Sequence, residues 1–177
     1  RFGPDHVTPT PATAFDFSDF GGIARAAEQC SGVGACRKSL VGTMCPSYMA
    51  TRNEADSTRG RANALRMAIN GQLGPDGLAN PSLKPVLDLC LECKACKAEC
   101  PSSVDMAKLK SEFLAQYHRA NGLSFRNRAF AHINRINRLG SAFAPMSNWA
   151  ARSPVGKLFS RAVLGVDQRR SLPPFAR

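Results

Sequence analysis

The chain has 177 residues, enough for one domain or two small ones, and its 44% hydrophobic share is ordinary for a folded protein. Seven cysteines, an odd number, argue against a simple disulfide scaffold, and no apolar run approaches the length of a bilayer span. The formal charge of +11 points to an anionic counterpart: nucleic acid, an anionic membrane surface or an acidic redox partner. The first residue is Arg1 and no signal pattern follows it, so a piece of a longer polypeptide is expected.

Residues 1–17 begin with a proline-bearing stretch (Pro4, Pro9, Pro11) without periodicity, which reads as an entry linker. Ser18 or Asp19 is expected to cap a helix through Ile23, Ala26 and Ala27 that delivers Cys30. Gly32 and Gly34 suit a backbone that must approach a bound group closely. Cys36 follows, then an eight-residue gap to Cys45 and Pro46. A helix is expected from Ser57 to Asn70, with Leu65 and Ile69 on one face and Gly71 as its stop. Gly60 inside it costs about 1 kcal/mol against alanine, so close packing or a kink is expected there. Gly74-Pro75-Asp76-Gly77 is a turn, and a helix over Pro81–Leu89 enters the next cysteine motif.

That motif is the most informative stretch. Cys90-Leu-Glu-Cys93-Lys-Ala-Cys96-Lys-Ala-Glu-Cys100-Pro101 reads C-x2-C-x2-C-x3-C-P, a run in which three cysteines grip one iron–sulfur cluster and the fourth reaches to another. Pro101, without an N–H and with a fixed φ, is expected to turn the chain away and open the next helix. Cys30, Cys36, Cys45 and Pro46 form an imperfect second copy, with Val33 where Cys93 would stand. Exchange of the two proline-tagged cysteines closes the count. Cys90, Cys93, Cys96 and Cys45 then hold a [4Fe–4S] cluster, and Cys30, Cys36 and Cys100 hold the other. Three thiolates suit either [3Fe–4S] or a [4Fe–4S] whose fourth iron takes water, a substrate atom or another side chain. Zinc is the competing ion, but zinc sites pair two CxxC knuckles and do not crowd four cysteines into one run. With each loaded cluster near −2, the net charge falls to about +7.

Ser103 is expected to cap a helix over Val104–Asn121, with Met106, Leu109, Phe113, Leu114 and Tyr117 inward and Gly122 as its end. A basic amphipathic helix follows from Ser124 to Leu139, its apolar face formed by Phe125, Ala129, Ile133 and Ile136. Short helices are expected near Trp149 and over residues 155–159, and residues 167–177 read as an exit linker. No alternating strand is present, so the expected fold is all-α, with two clusters held between helices. The expected division is a linker over 1–17, a dicluster domain over 18–122, a helical extension over 123–166 and the exit linker. Arg59 and Arg61 are candidates for tuning a cluster from nearby, as are Lys94, Lys97, Arg37 and Lys38. His6, His118 and His132 are scattered, with no pair at helical ligand spacing. No nucleophile motif, phosphate loop or dinucleotide fingerprint occurs, so no stand-alone catalytic site is expected.

Two resemblances add to this reading. The unit Cys30-Ser-Gly-Val33-Gly-Ala-Cys36 resembles the three-iron segment of the iron–sulfur subunit of succinate dehydrogenase and fumarate reductase, where a non-cysteine residue also takes the second position. Residues 44–51 (MCPSYMAT), 57–63 (STRGRAN) and 90–96 (CLECKAC) resemble the middle segment of large FAD-linked D-2-hydroxyacid oxidases of the D-lactate, glycolate and D-2-hydroxyglutarate type. The second resemblance implies an FAD-binding domain upstream, which carries the FAD, and a cysteine-rich domain downstream in the same polypeptide. It implies [4Fe–4S] centres and a membrane-associated acceptor among the partners. The expected function is transfer of electrons from the flavin through two clusters, in the cytoplasm or at the inner face of the membrane. A basic nucleic-acid-binding or regulatory iron–sulfur protein is the alternative, and clusters serving only as structural staples a third reading. No nucleic acid is expected under the first.

Overall fold

The computed structural model describes residue 3 and residues 5–167, 169–170 and 172–176. Pro4 of the entry linker and Gln168, Ser171 and Arg177 of the exit linker lie outside the described residues, as do Arg1 and Phe2. Helices and turns account for all regular structure among the described residues, with no strand. The chain divides into two compact units, residues 1–121 and 122–177.

The first unit contains α1 (Ile23–Glu28), α2 (Pro46–Thr51), α3 (Thr58–Ile69), α4 (Leu83–Asp88), α5 (Ala95–Glu99) and α6 (Met106–Asn121). Helix α3 is its axis and packs against α1, α4 and α6. Its inward positions Ala62, Leu65 and Ala68 are sealed against Ile23, Ala27, Leu83, Leu87, Leu109 and Phe113. Burying each large aliphatic side chain contributes about 1.5–3 kcal/mol, so this seam holds the short helices that cannot persist alone.

Helix α3 begins where expected. Ser57 caps it, its Oγ accepting from Gly60 N at 2.9 Å and donating to Glu54 O at 2.8 Å. Gly60 answers to close packing: a Cβ there would run into the Glu54 carbonyl of the preceding turn. Other boundaries differ. Gly21 and Gly22, both at positive φ, separate a short 3-10 turn at Ser18–Phe20 from α1, so neither Ser18 nor Asp19 caps it. Ser103 sits at φ 49 and does not cap α6; Asp105 does, its Oδ1 accepting from Lys108 N at 3.0 Å. Pro101 opens a turn closed by Ser103 N on Cys100 O at 2.8 Å, whereas Pro46 does open a helix, α2. The end of the entry stretch is fastened. Buried Glu112 on α6 accepts from Ala14 N and Phe15 N at 2.9 Å each, and Phe17 is buried.

The second unit contains α7 (Phe125–Ala131), α8 (Ile133–Ala142), α9 (Ala144–Arg152) and α10 (Pro154–Leu164). The single helix expected over Ser124–Leu139 breaks at His132, whose φ of −102 and ψ of 20 leave helical geometry. Of the described residues here only Ala144 is buried, while Phe125, Leu139, Phe143, Trp149 and Leu158 stand exposed. Residues 122–177 hold ten Arg and Lys against one acid, Asp167, so most of the chain's excess charge lies in this unit.

Candidate functional site

The seven cysteines fall into two cavities of the first unit. One is lined by Cys30, Cys36 and Cys100, with Gly32, Val33, Gly34, Thr58 and Arg59 around them. The other is lined by Cys45, Cys90, Cys93 and Cys96, with Thr58, Arg61 and Met106. Each motif therefore contributes its proline-tagged cysteine to the other motif's cavity, and Thr58 borders both.

Local structure explains how short peptides reach this arrangement. Gly34 at φ 78 curves the Cys30–Cys36 loop, and Ser31 Oγ lies 2.9 Å from Ser102 Oγ, tying that loop to the turn that carries Cys100. Arg59 Nη1 donates to Gly32 O at 3.2 Å. In the other motif Glu92 (φ 54) and Lys94 (φ 59) take left-handed conformations that residues with a Cβ adopt at a cost of about 1–3 kcal/mol. Lys110, reaching from α6, braces this loop by donating to Cys90 O at 2.7 Å, with Glu92 Oε1 at 3.4 Å. Glu99 holds the loop before Cys45, accepting from Thr43 N at 2.8 Å and Met44 N at 3.2 Å.

Among the described residues no three His, Cys, Asp or Glu side chains converge as a single metal ion demands. The thiols instead ring cavities, the arrangement a polynuclear centre with several iron corners needs, and the all-sulfur donor set suits iron–sulfur chemistry. Residues 26–104, which contain every cysteine, match the family model of the 4Fe-4S dicluster domain. This segment is a dicluster iron–sulfur domain. D-2-hydroxyglutarate dehydrogenase of Escherichia coli is 24% identical over 177 residues, covering 80% of this chain and 17% of that protein. The enzyme of the same name from Pseudomonas putida is 31% identical over 124 residues, 52% of this chain and 12% of that protein. A probable glycolate oxidase iron-sulfur subunit of Bacillus subtilis is 35% identical over 69 residues, 38% of this chain and 15% of that protein. The chain spans less than a fifth of the length of these relatives. No solved structure matches it.

Within the dicluster domain the thiols differ in their readiness to ionise. Burial pushes Cys30, Cys90 and Cys96 up from the ordinary thiol value, and for Cys30 the neighbouring Cys36 and Cys100 add to the effect. Cys45 goes the other way. Burial opposes its ionisation, but the Ser47 hydroxyl, the Tyr48 N–H, the Arg61 guanidinium and the Thr58 hydroxyl outweigh it. Any metal ligation by these raised thiols would release protons and so be favoured as pH rises.

Arg59 and Arg61 reach one cavity each. Of the other flanking cations, Arg37 pairs with Glu54 at 3.3 Å and Lys97 with Asp105 at 3.4 Å, while Lys38 and Lys94 are exposed. Val33 lines the three-thiol cavity at its open rim, 65% exposed. None of His6, His118 and His132 lines either cavity. Lys110, Glu99 and the Ser31–Ser102 pair carry no cysteine-like signature in the sequence. Lys110 could have been noticed as a charge close to the apolar face of α6.

Proposed function

We propose that the chain is the electron-transfer module of an FAD-linked D-2-hydroxyacid oxidoreductase. Cys45, Cys90, Cys93 and Cys96 hold a [4Fe–4S] cluster; Cys30, Cys36 and Cys100 hold the second. The observation that supports this most is the crossed sorting of the seven cysteines into two cavities sharing Thr58 as a wall. The clusters supply one-electron redox chemistry when bound. The polypeptide supplies thiolates at fixed positions, burial and hydrogen bonds to sulfur, and makes or breaks no substrate bond.

An FAD-binding domain upstream in the same polypeptide is the electron donor, and a cysteine-rich domain downstream or a membrane-associated acceptor takes the electrons on. The similarity to D-2-hydroxyglutarate dehydrogenases supports that context, and thiolate centres suit the reducing cytoplasm. Contact with a membrane acceptor is peripheral in this reading; no helix among the described residues is long and apolar enough to cross a membrane.

Three thiolates at the first site and an exposed Val33 leave one corner without a protein sulfur, which suits [3Fe–4S] or a [4Fe–4S] with a non-cysteine fourth ligand. Iron and sulfide analysis with EPR on anaerobically prepared protein tests the whole reading. Two clusters, each reversibly reduced, are expected. Iron for one cluster, or centres that never reduce, would overturn it. Val33→Cys is expected to complete a four-iron centre, removing any oxidised-state paramagnetic signal of a three-iron one.

The basic residues 122–177 favour one other reading, binding of nucleic acid. That reading requires tight binding at physiological ionic strength with a steep loss on added salt.

A further inference from the structure

The first turn of α3 faces both cavities and treats them differently. Thr58 is buried between them. Arg59 leans toward Cys30 and Cys36, but its side chain is a quarter exposed and its Nε is taken by Glu54 at 2.7 Å. Arg61 turns into the other cavity and is wholly buried. Its Nε donates to Val86 O at 2.9 Å and its Nη1 to Cys45 Sγ at 3.4 Å. Its Nη2 has no hydrogen-bond partner, and the nearest carboxylate oxygen, Asp56 Oδ1, lies 3.7 Å away. The other Asp56 oxygen already accepts from Thr51 Oγ1 at 2.8 Å.

A buried guanidinium is costly unless its charge and its donors are met. Here they are met in part: one carbonyl, one sulfur and a loosely paired carboxylate, with one nitrogen orphaned. A negatively charged thiolate cluster beside Cys45 would supply the missing counter-charge. A cation that donates to a ligand sulfur from within a dry wall favours the state with more negative charge on the centre, which is the reduced state. Arg59, part-solvated and tightly paired, exerts a weaker pull on its own site.

We propose that Arg61 is a positioning residue that raises the reduction potential of the Cys45–Cys90–Cys93–Cys96 cluster and leaves the Cys30–Cys36–Cys100 cluster nearly unaffected. One turn of α3 then sets the two centres independently. The inference rests on the two-cluster function proposed above. In the step concerned one electron enters the cluster from a reductant; no ligand leaves and Arg61 neither gains nor loses a proton.

The test is an EPR-monitored titration of the holo full-length chain with dithionite, comparing wild type, Arg61→Met, Arg61→Lys and Arg59→Met. Arg61→Met is expected to make reduction of one centre at least tenfold less favourable, about 59 mV for a one-electron couple. Arg61→Lys should recover part of that, since it keeps the charge but not the planar fork. Arg59→Met should shift the other centre, and by less. An Arg61→Met protein with both centres loaded and potentials unchanged, or shifted equally, overturns the proposal. Should Arg61→Met lose its cluster, Asp56→Asn decides. Removing the opposing carboxylate charge must raise the same potential, and no change overturns the proposal. A wild type without two reversible centres fails at the earlier step, before any substitution, and overturns the functional reading itself.

Discussion

The two cysteine cavities are built from copies of one motif, yet they solve the same problem differently. The cavity of Cys45, Cys90, Cys93 and Cys96 has four thiols, a wholly buried arginine on one sulfur and a lysine bracing the loop backbone. The cavity of Cys30, Cys36 and Cys100 has three thiols, an exposed valine at its rim, and a hydroxyl pair and a part-exposed arginine to hold its loop. One carries a buried charge inside its wall; the other has an exposed apolar residue at its rim. In the two-cluster reading, the repeated cysteine spacing would place the metal and the residues around the thiols would distinguish the two centres.

The sharpest way to break the comparison is to remove a crossing ligand. Cys100→Ser lies within the second motif but is expected to abolish the centre of Cys30 and Cys36, halving the iron content while the other EPR signal persists. Loss of the Cys90–Cys93–Cys96 centre instead would show that the exchange is wrong. Next in size is Leu65→Ala, in the sealed seam of α3, expected to cost about 2–5 kcal/mol in urea unfolding of the holo protein. Because α3 borders both cavities, both clusters should be lost together as denaturant rises. Gly60→Ala should cost about 1–3 kcal/mol, because the Glu54 carbonyl is backbone and yields poorly. That turn carries Asp56, so cluster loss should begin at the four-thiol site; earlier loss at the other would contradict the packing argument. Ser31→Ala removes one exposed hydroxyl pair and should cost about 0.5 kcal/mol, seen as faster bleaching of the three-thiol centre alone.

Much of this was legible in the residues. The C-x2-C-x2-C-x3-C-P run and its imperfect copy predict two sets of thiols, and helical periodicity with Ser57 and Gly71 predicts α3 within a residue. Periodicity was blind where a boundary depends on one backbone angle. The break at His132, the Gly21–Gly22 interruption and the left-handed Ser103 each end or delay a helix without disturbing the apolar spacing. It was equally blind to long-range polar contacts. Glu112 fastening Ala14, nearly a hundred residues away, leaves no local trace, and a buried acid on an amphipathic helix looks like any solvated one. Arg59 and Arg61 were visible as candidates, but only packing shows that two arginines with Gly60 alone between them line different cavities.

Thr58 has a consequence of its own. It lines both cavities and is buried, so in the two-cluster reading an electron passing between loaded sites would have a route through packed protein atoms beside it. No water need reorganise along that route. Transfer between the centres would then be fast relative to delivery or removal, leaving the docking of outside partners as the slow event.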